Sequence, residues 1–126
     1  MKFVIAFLFL LPFLSFSQIK LKKKYCGNFI GMIPAYSMEI GNEIVGIDSA
    51  AIKIEILIDG SIKYTIGNTT YSGKYNVNFI SDAFIFVSAN LVNQKAEEHL
   101  KIFLKDKHME REGIFPQPTA FLTKED

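Results

Sequence analysis

Ile52-Lys53-Ile54-Glu55-Ile56-Leu57-Ile58-Asp59-Gly60-Ser61-Ile62-Lys63-Tyr64-Thr65-Ile66 is the stretch that decides the fold. Ile52, Ile54, Ile56 and Ile58 alternate with Lys53, Glu55 and Leu57. Apolar residues at every second position mark a half-buried strand, because successive side chains leave a strand on opposite faces. Asp59-Gly60 is a turn signal, and Ile62, Tyr64 and Ile66 resume the alternation beyond it. A two-residue loop would set Ile56 against Lys63. A three-residue loop, Ile58-Asp59-Gly60 with Gly60 in the left-handed region, sets Ile56 against Ile62 and Ile54 against Tyr64. Register follows the buried face, so the sequence predicts the three-residue loop.

The same period continues outward. Gly67-Asn68-Thr69-Thr70 reads as the next turn, with Ile66 set against Tyr71 and Tyr64 lying over Gly73. Tyr71, Gly73, Tyr75, Val77 and Phe79 form one face of the strand that follows. Ser81-Asp82 turns the chain again, and the apolar run Ala83–Ala89 reads as a strand covered on both faces. A polar connection over 90–97, with room for a helical turn, leads to strands over 98–105 and 108–115 joined at Asp106-Lys107. Pro116-Gln117-Pro118 ends the latter, since proline cannot donate to a ladder, and Ala120–Thr123 closes the series. About eight short strands in consecutive hairpins predict an all-β, antiparallel up-and-down meander, a small barrel or alternatively a β-sandwich. Residues 25–126 form a single β-domain in this reading.

The first seventeen residues read differently. Lys2 is followed by an apolar run, Phe3 to Leu14, and then by Ser15-Phe16-Ser17. A positive start, a short apolar core and a small-x-small exit are the parts of a secretory signal peptide, with the cut between Ser17 and Gln18. The expected product is exported, periplasmic or secreted, with the membrane involved only through the removed leader. Residues 18–24 read as a basic, solvated spacer. Without Lys2 the chain carries thirteen cationic and thirteen acidic side chains. No global field therefore favours nucleic acid. The single cysteine, Cys26, excludes an internal disulfide and reads as a small core residue.

Gly27-Asn28-Phe29-Ile30-Gly31-Met32-Ile33-Pro34 resembles the opening Gly-x-aromatic-x-Gly-x-x-Pro of small lipocalin-like barrels of the bacterial envelope, the N-terminal domain of the copper-resistance lipoprotein NlpE among them. The Ile52–Ile58 strand, Asp59-Gly60 and Gly73-Lys74-Tyr75 extend the resemblance over about half the chain. It implies a barrel. That family carries Cys-x-x-Cys after the proline, where this chain has Pro34-Ala35-Tyr36-Ser37, so the resemblance implies neither thiol nor copper chemistry here.

No catalytic constellation stands out. His99 and His108 fall on adjacent predicted strands, roughly 20 Å apart at strand rise, which is too far to share a metal. Glu97 and Glu98 point to opposite faces, and Glu110 and Glu112 read as surface charges. No metal, cofactor or enzymatic activity is indicated. Asn68-Thr69-Thr70 matches a glycosylation acceptor, relevant only in a eukaryotic secretory host.

Arg111 is the only arginine. A two-residue Asp106-Lys107 loop sets Met109, Arg111 and Gly113 against Leu104, Ile102 and Leu100 and turns Arg111 inward. A three-residue loop turns it to solvent, and no glycine arbitrates. An inward arginine needs a partner. Glu98, on the same face, is one, and an anionic ligand head is another. With Tyr64 and Tyr75 on the inner face, Arg111 completes a candidate ligand-binding set. The leading expectation is a non-enzymatic barrel that holds a small apolar or amphipathic molecule. The alternative is a structural or protein-interaction component of the envelope. A core packed solid between Ile54, Tyr64, Tyr75 and Ile102 counts against an interior ligand.

Overall fold

A computed structural model describes residues 21–125. The leader expected over 1–17, the cut at Ser17/Gln18 and the start of the basic spacer lie outside the described residues. The strands are β1 (Gly27–Ile33), β2 (Tyr36–Ile40), β3 (Glu43–Ile47), β4 (Ala50–Ile56), β5 (Ser61–Ile66), β6 (Thr69–Ile80), β7 (Phe84–Leu91), β8 (Glu98–Phe103), β9 (His108–Arg111) and β10 (Ala120–Lys124). Eight of them close an antiparallel barrel in the order β1-β10-β9-β8-β7-β6-β5-β4, with β4 returning to β1. The expected all-β meander is therefore a barrel and not a sandwich. β2 and β3 form a separate two-stranded hairpin inserted between β1 and β4.

The deciding hairpin has the expected register: Ile56 opposes Ile62 and Ile54 opposes Tyr64. Gly60 sits at φ +99°, and Asp59 accepts hydrogen bonds from the Ser61 amide and hydroxyl. The next hairpin corrects the expectation. Ile66 opposes Thr69, Tyr64 opposes Tyr71, and Ile62 opposes Gly73. The loop is only Gly67-Asn68, with Gly67 at φ +60°, the geometry of a two-residue hairpin with glycine first. Gly41-Asn42 builds the β2–β3 loop in the same way, with Gly41 at φ +66°.

Three other expectations change. The register slips between Val77 and Phe79, turning Phe79 outward, 54% exposed. Residues 90–97 contain no helical turn: β7 runs on to Leu91, and a reverse turn at Val92-Asn93 follows, with Asn93 at φ +68° and the Gln94 amide donating to the Leu91 carbonyl. The last long strand stops at Arg111, and residues 112–119 form a loop. β7 is covered outside by its own neighbours. The rings of Phe79, Phe86, Phe84 and Phe103 form a chain with centroids 4.2 to 6.0 Å apart.

The core is the barrel interior. Phe29, Ile54, Ile62, Tyr64, Ala89, Met109 and Ala120 are wholly inaccessible, and Ile52, Ile56, Val87, Leu100, Ile102 and Leu122 nearly so. Small barrels of eight strands can be filled by side chains in this way. Where β6 crosses β7, a Cβ on Gly73 would lie 2.0 Å from the Asn90 carbonyl oxygen. The glycine lets the two backbones approach, a different role from the expected ring cover.

Candidate functional site

The two ends of the barrel differ. One end is formed by residues 21–26 and by the β4–β5, β6–β7 and β8–β9 turns. Leu21 is buried there, and a 3-10 turn over Lys23–Tyr25 carries the chain into β1. The expected solvated spacer thus includes a residue seated in the core. The Tyr75 hydroxyl receives the Leu21 amide at 3.3 Å and donates to the Leu57 carbonyl at 2.8 Å. Lys124 Nζ donates to the Lys24 carbonyl at 2.8 Å. Burial, partly offset by the hydrogen bond from Leu21, pushes the Tyr75 hydroxyl up to about 12. Tyr75 is therefore a fastener for the closed end. Cys26 lies against it, half-buried, with its thiol directed at the Leu21 carbonyl and its pKa raised chiefly by burial.

The other end is the mouth. Its frame consists of the β2–β3 hairpin, the Gly67-Asn68 turn, the loop 92–97 and the loop 112–119. Beneath them sits the buried polar group of the barrel. Arg111 Nε donates to Glu98 Oε1 at 2.8 Å and Nη2 to Glu98 Oε2 at 3.2 Å, while Nη1 donates to Gln117 Oε1. Arg111 is 3% and Glu98 1% exposed. The inward orientation is settled by the β8–β9 register, in which Arg111 opposes Leu100 and Met109 opposes Ile102. The expected opposition of Arg111 to Ile102 is displaced by two positions, because the loop spans four residues with Lys107 at φ +52°. That shift carries Arg111 two positions closer to Glu98.

Tyr64 lies beside this pair, with the Arg111 guanidinium 5.9 Å from its ring centroid. Its hydroxyl is buried without a hydrogen bond of standard geometry. Burial first and the Glu98 charge second hold its pKa well above the ordinary tyrosine value. The structure thus joins two of the three expected ligand residues, Arg111 and Tyr64, and puts the third, Tyr75, at the opposite end. All three are packed, as are Ile54 and Ile102. None of Ile54, Tyr64, Tyr75 and Ile102 is more than 3% exposed. The interior site expected among them is filled with protein.

What remains open is a cleft of about 440 Å³ above the Glu98–Arg111 pair. Tyr36, Ile66, Tyr71, Ile114 and Pro116 supply its apolar wall, and Gln94, Lys95, Gln117 and the Glu98–Arg111 pair itself its polar part, so Arg111 alone of the three expected ligand residues reaches it. Tyr36, Met38, Ile40, Glu43, Val45 and Ile47 share one face of the hairpin, and Tyr36 at its base borders the cleft. Ile40 (58%), Ile44 (74%) and Phe115 (95%) are exposed at this end. The β2–β3 flap and the Ile114-Phe115 loop were not picked out by sequence reasoning. The signal available for the flap was Gly41-Asn42 between two short apolar runs, the same dipeptide as at 67–68. Smaller clefts occur at the closed end, by Leu21, Tyr25 and Leu104, and on the outer wall beside His99 and Glu110, and a larger, shallow one of about 530 Å³ lies on the outer wall by Ile30, Met32, Ala51 and Thr65.

His99 is exposed and 3.7 Å from Glu97. No group of three His, Cys, Asp or Glu among the described residues could hold a metal ion. No protein family, curated protein or solved structure matches the chain.

Proposed function

We propose that this chain is an exported, non-enzymatic binding module that holds a small amphipathic molecule across its open mouth. The observation that carries this reading is the asymmetry of the two ends. One end is occupied by the chain's own Leu21 and fastened by Tyr75, while the other leaves a cleft bordered by Tyr36 of a hairpin that is not part of the barrel wall. A cleft of this size, with apolar and polar surface in nearly equal share, suits a small amphipathic ligand. Filling the barrel moves the binding position from the interior to its rim. The test is a titration with the neutral amphiphile N-phenyl-1-naphthylamine, followed by amide resonances. Shifts confined to Tyr36, Ile66, Tyr71, Ile114 and the flap support the reading. Saturable shifts at the Leu21 end, or none anywhere, overturn it.

A second reading, an envelope protein as partner, is favoured by a separate observation. β2 and β3 pair only with each other, so each keeps an unpaired outer edge. Residues 40 and 43 flank the two-residue loop and exchange hydrogen bonds, so the amides of Ile44 and Gly46 point outward. Such an edge can receive an added strand. Ile44→Pro removes one outward donor. Loss of a co-purifying protein with cleft binding retained would support this reading, and retention of that protein would overturn it.

A further inference from the structure

We infer that the occupant of the mouth carries a hydrogen-bond-accepting head, a carbonyl or carboxylate, and that Gln117 Nε2 and Lys95 Nζ are the donors that receive it. This rests on the mouth as the binding position and deepens it by assigning the chemistry of the head. The buried arginine beneath the cleft decides how Gln117 is turned. An arginine side chain has donors and no acceptor. Arg111 Nη1 donates to Gln117, so the amide atom that faces it is the oxygen, and the amide NH2 is left for another partner. Gln117 lines the cleft, and no acceptor among the described residues takes a hydrogen bond from its Nε2. The buried polar atoms without a partner are Asn28 Oδ1, the Tyr64 hydroxyl oxygen and Asn76 Oδ1. Gln117 Nε2 is not one of them, so it keeps access from the surface.

The rest of the polar lining has the same sense. Lys95, exposed at the rim, is the only charged lining side chain outside the Glu98–Arg111 pair. It can only donate, and it joins none of the ion pairs among the described residues. Arg111 commits three of its five N–H groups to Glu98 and Gln117 and keeps two. Glu98, the one carboxylate in the lining, is engaged through both oxygens and is 1% exposed, which withdraws it as an acceptor. Gln94, Tyr36 and Tyr71 can serve in either sense. The groups whose sense is fixed and which remain open are therefore donors. An accepting head placed among them regains the hydrogen bonds it loses with water, and a carboxylate gains more because its bonds are charge-assisted. An ammonium head finds Lys95 and further N–H groups, and its desolvation goes uncompensated.

The experiment compares octanoate, octanamide and octylammonium at pH 7.5 and low salt, with calorimetry and amide shifts as readouts. A shared chain length holds the apolar contribution constant, so the differences report the head. Octanoate is expected to bind at the mouth roughly tenfold or more tightly than octylammonium, and octanamide roughly threefold or more. Gln117→Glu keeps an oxygen toward Arg111 and turns a second oxygen, in place of the NH2, to the cleft. It should weaken octanoate and octanamide roughly tenfold, with mouth residues still responding to N-phenyl-1-naphthylamine. Lys95→Met, at an exposed position that leaves the fold intact, should weaken octanoate roughly threefold or more and octanamide by less than about twofold, which separates a carboxylate from a neutral carbonyl. If Gln117→Glu does not fold, Lys95→Met decides. Octylammonium binding as tightly as the other two, or octanoate unmoved by the variants, with the neutral probe still at the mouth, overturns the assignment of the head and leaves the binding position standing. Failure of all four probes to shift mouth resonances overturns both.

Discussion

Arg111 and Glu98 meet inside the barrel through two parallel contacts, Nε to Oε1 at 2.8 Å and Nη2 to Oε2 at 3.2 Å, although they are thirteen residues apart on adjoining strands. The pair shapes the mouth floor, fixes the inner face of β9 and neutralises the only arginine. Such a pair is not a simple source of stability. Its attraction must offset the desolvation of both ions, and a well-packed apolar replacement often does as well.

The single variants Arg111→Met and Glu98→Leu should each destabilise the domain, by about 3–5 kcal/mol, because each strands a buried charge. The double variant should recover most of that loss. Urea unfolding of the wild type, both single variants and the double variant at pH 7 gives the coupling directly. Additive losses in the double variant would show that the two charges do not act as a unit.

Gly73→Ala should cost about 1–3 kcal/mol, since the added methyl lies 2.0 Å from a backbone oxygen on β7 and the strands must part. Gly46→Ala in the flap meets nothing within 4 Å and should change stability by less than about 0.5 kcal/mol. Chemical denaturation midpoints compare the two.

Stability should fall at alkaline pH. The folded-state pKa of Tyr75 is raised from 10.0 to about 12, so the folded chain keeps a proton that the unfolded chain releases. The stabilisation is complete below pH 10 and is lost as pH rises from 10 toward 12. Tyr64 shifts in the same direction. Tyr75→Phe should be less stable at pH 7, because the Leu57 carbonyl and Leu21 amide lose a partner, yet decline less steeply between pH 9 and 11.5. Urea midpoints across that range measure both effects, and a parallel decline would contradict the assignment to Tyr75.

Replacing residues 35–48 with a short Gly-Asn turn should leave the barrel folded. β1 and β4 already pair as far as Ile33 with Ala50, and the flap contributes no strand to the wall. Circular dichroism should retain the β signal, while shifts from N-phenyl-1-naphthylamine at Ile66, Tyr71 and Ile114 should disappear. Loss of the fold would mean that the flap supports the barrel.

By itself the sequence determined the all-β class, the consecutive antiparallel hairpins, the β4–β5 register and the inward places of Ile54, Tyr64, Tyr75 and Ile102. These are local matters, since a period of two fixes the face of every side chain and Gly60 fixes one loop. The tertiary structure decided what depends on distant segments. Closure of β1 onto β10 and β4 made a barrel of the meander and excluded β2 and β3 from its wall. A four-residue loop before β9, which no glycine announces, turned Arg111 inward and gave it to Glu98. Whether the barrel was hollow depended on how eight inner faces fill one volume, which no single strand encodes.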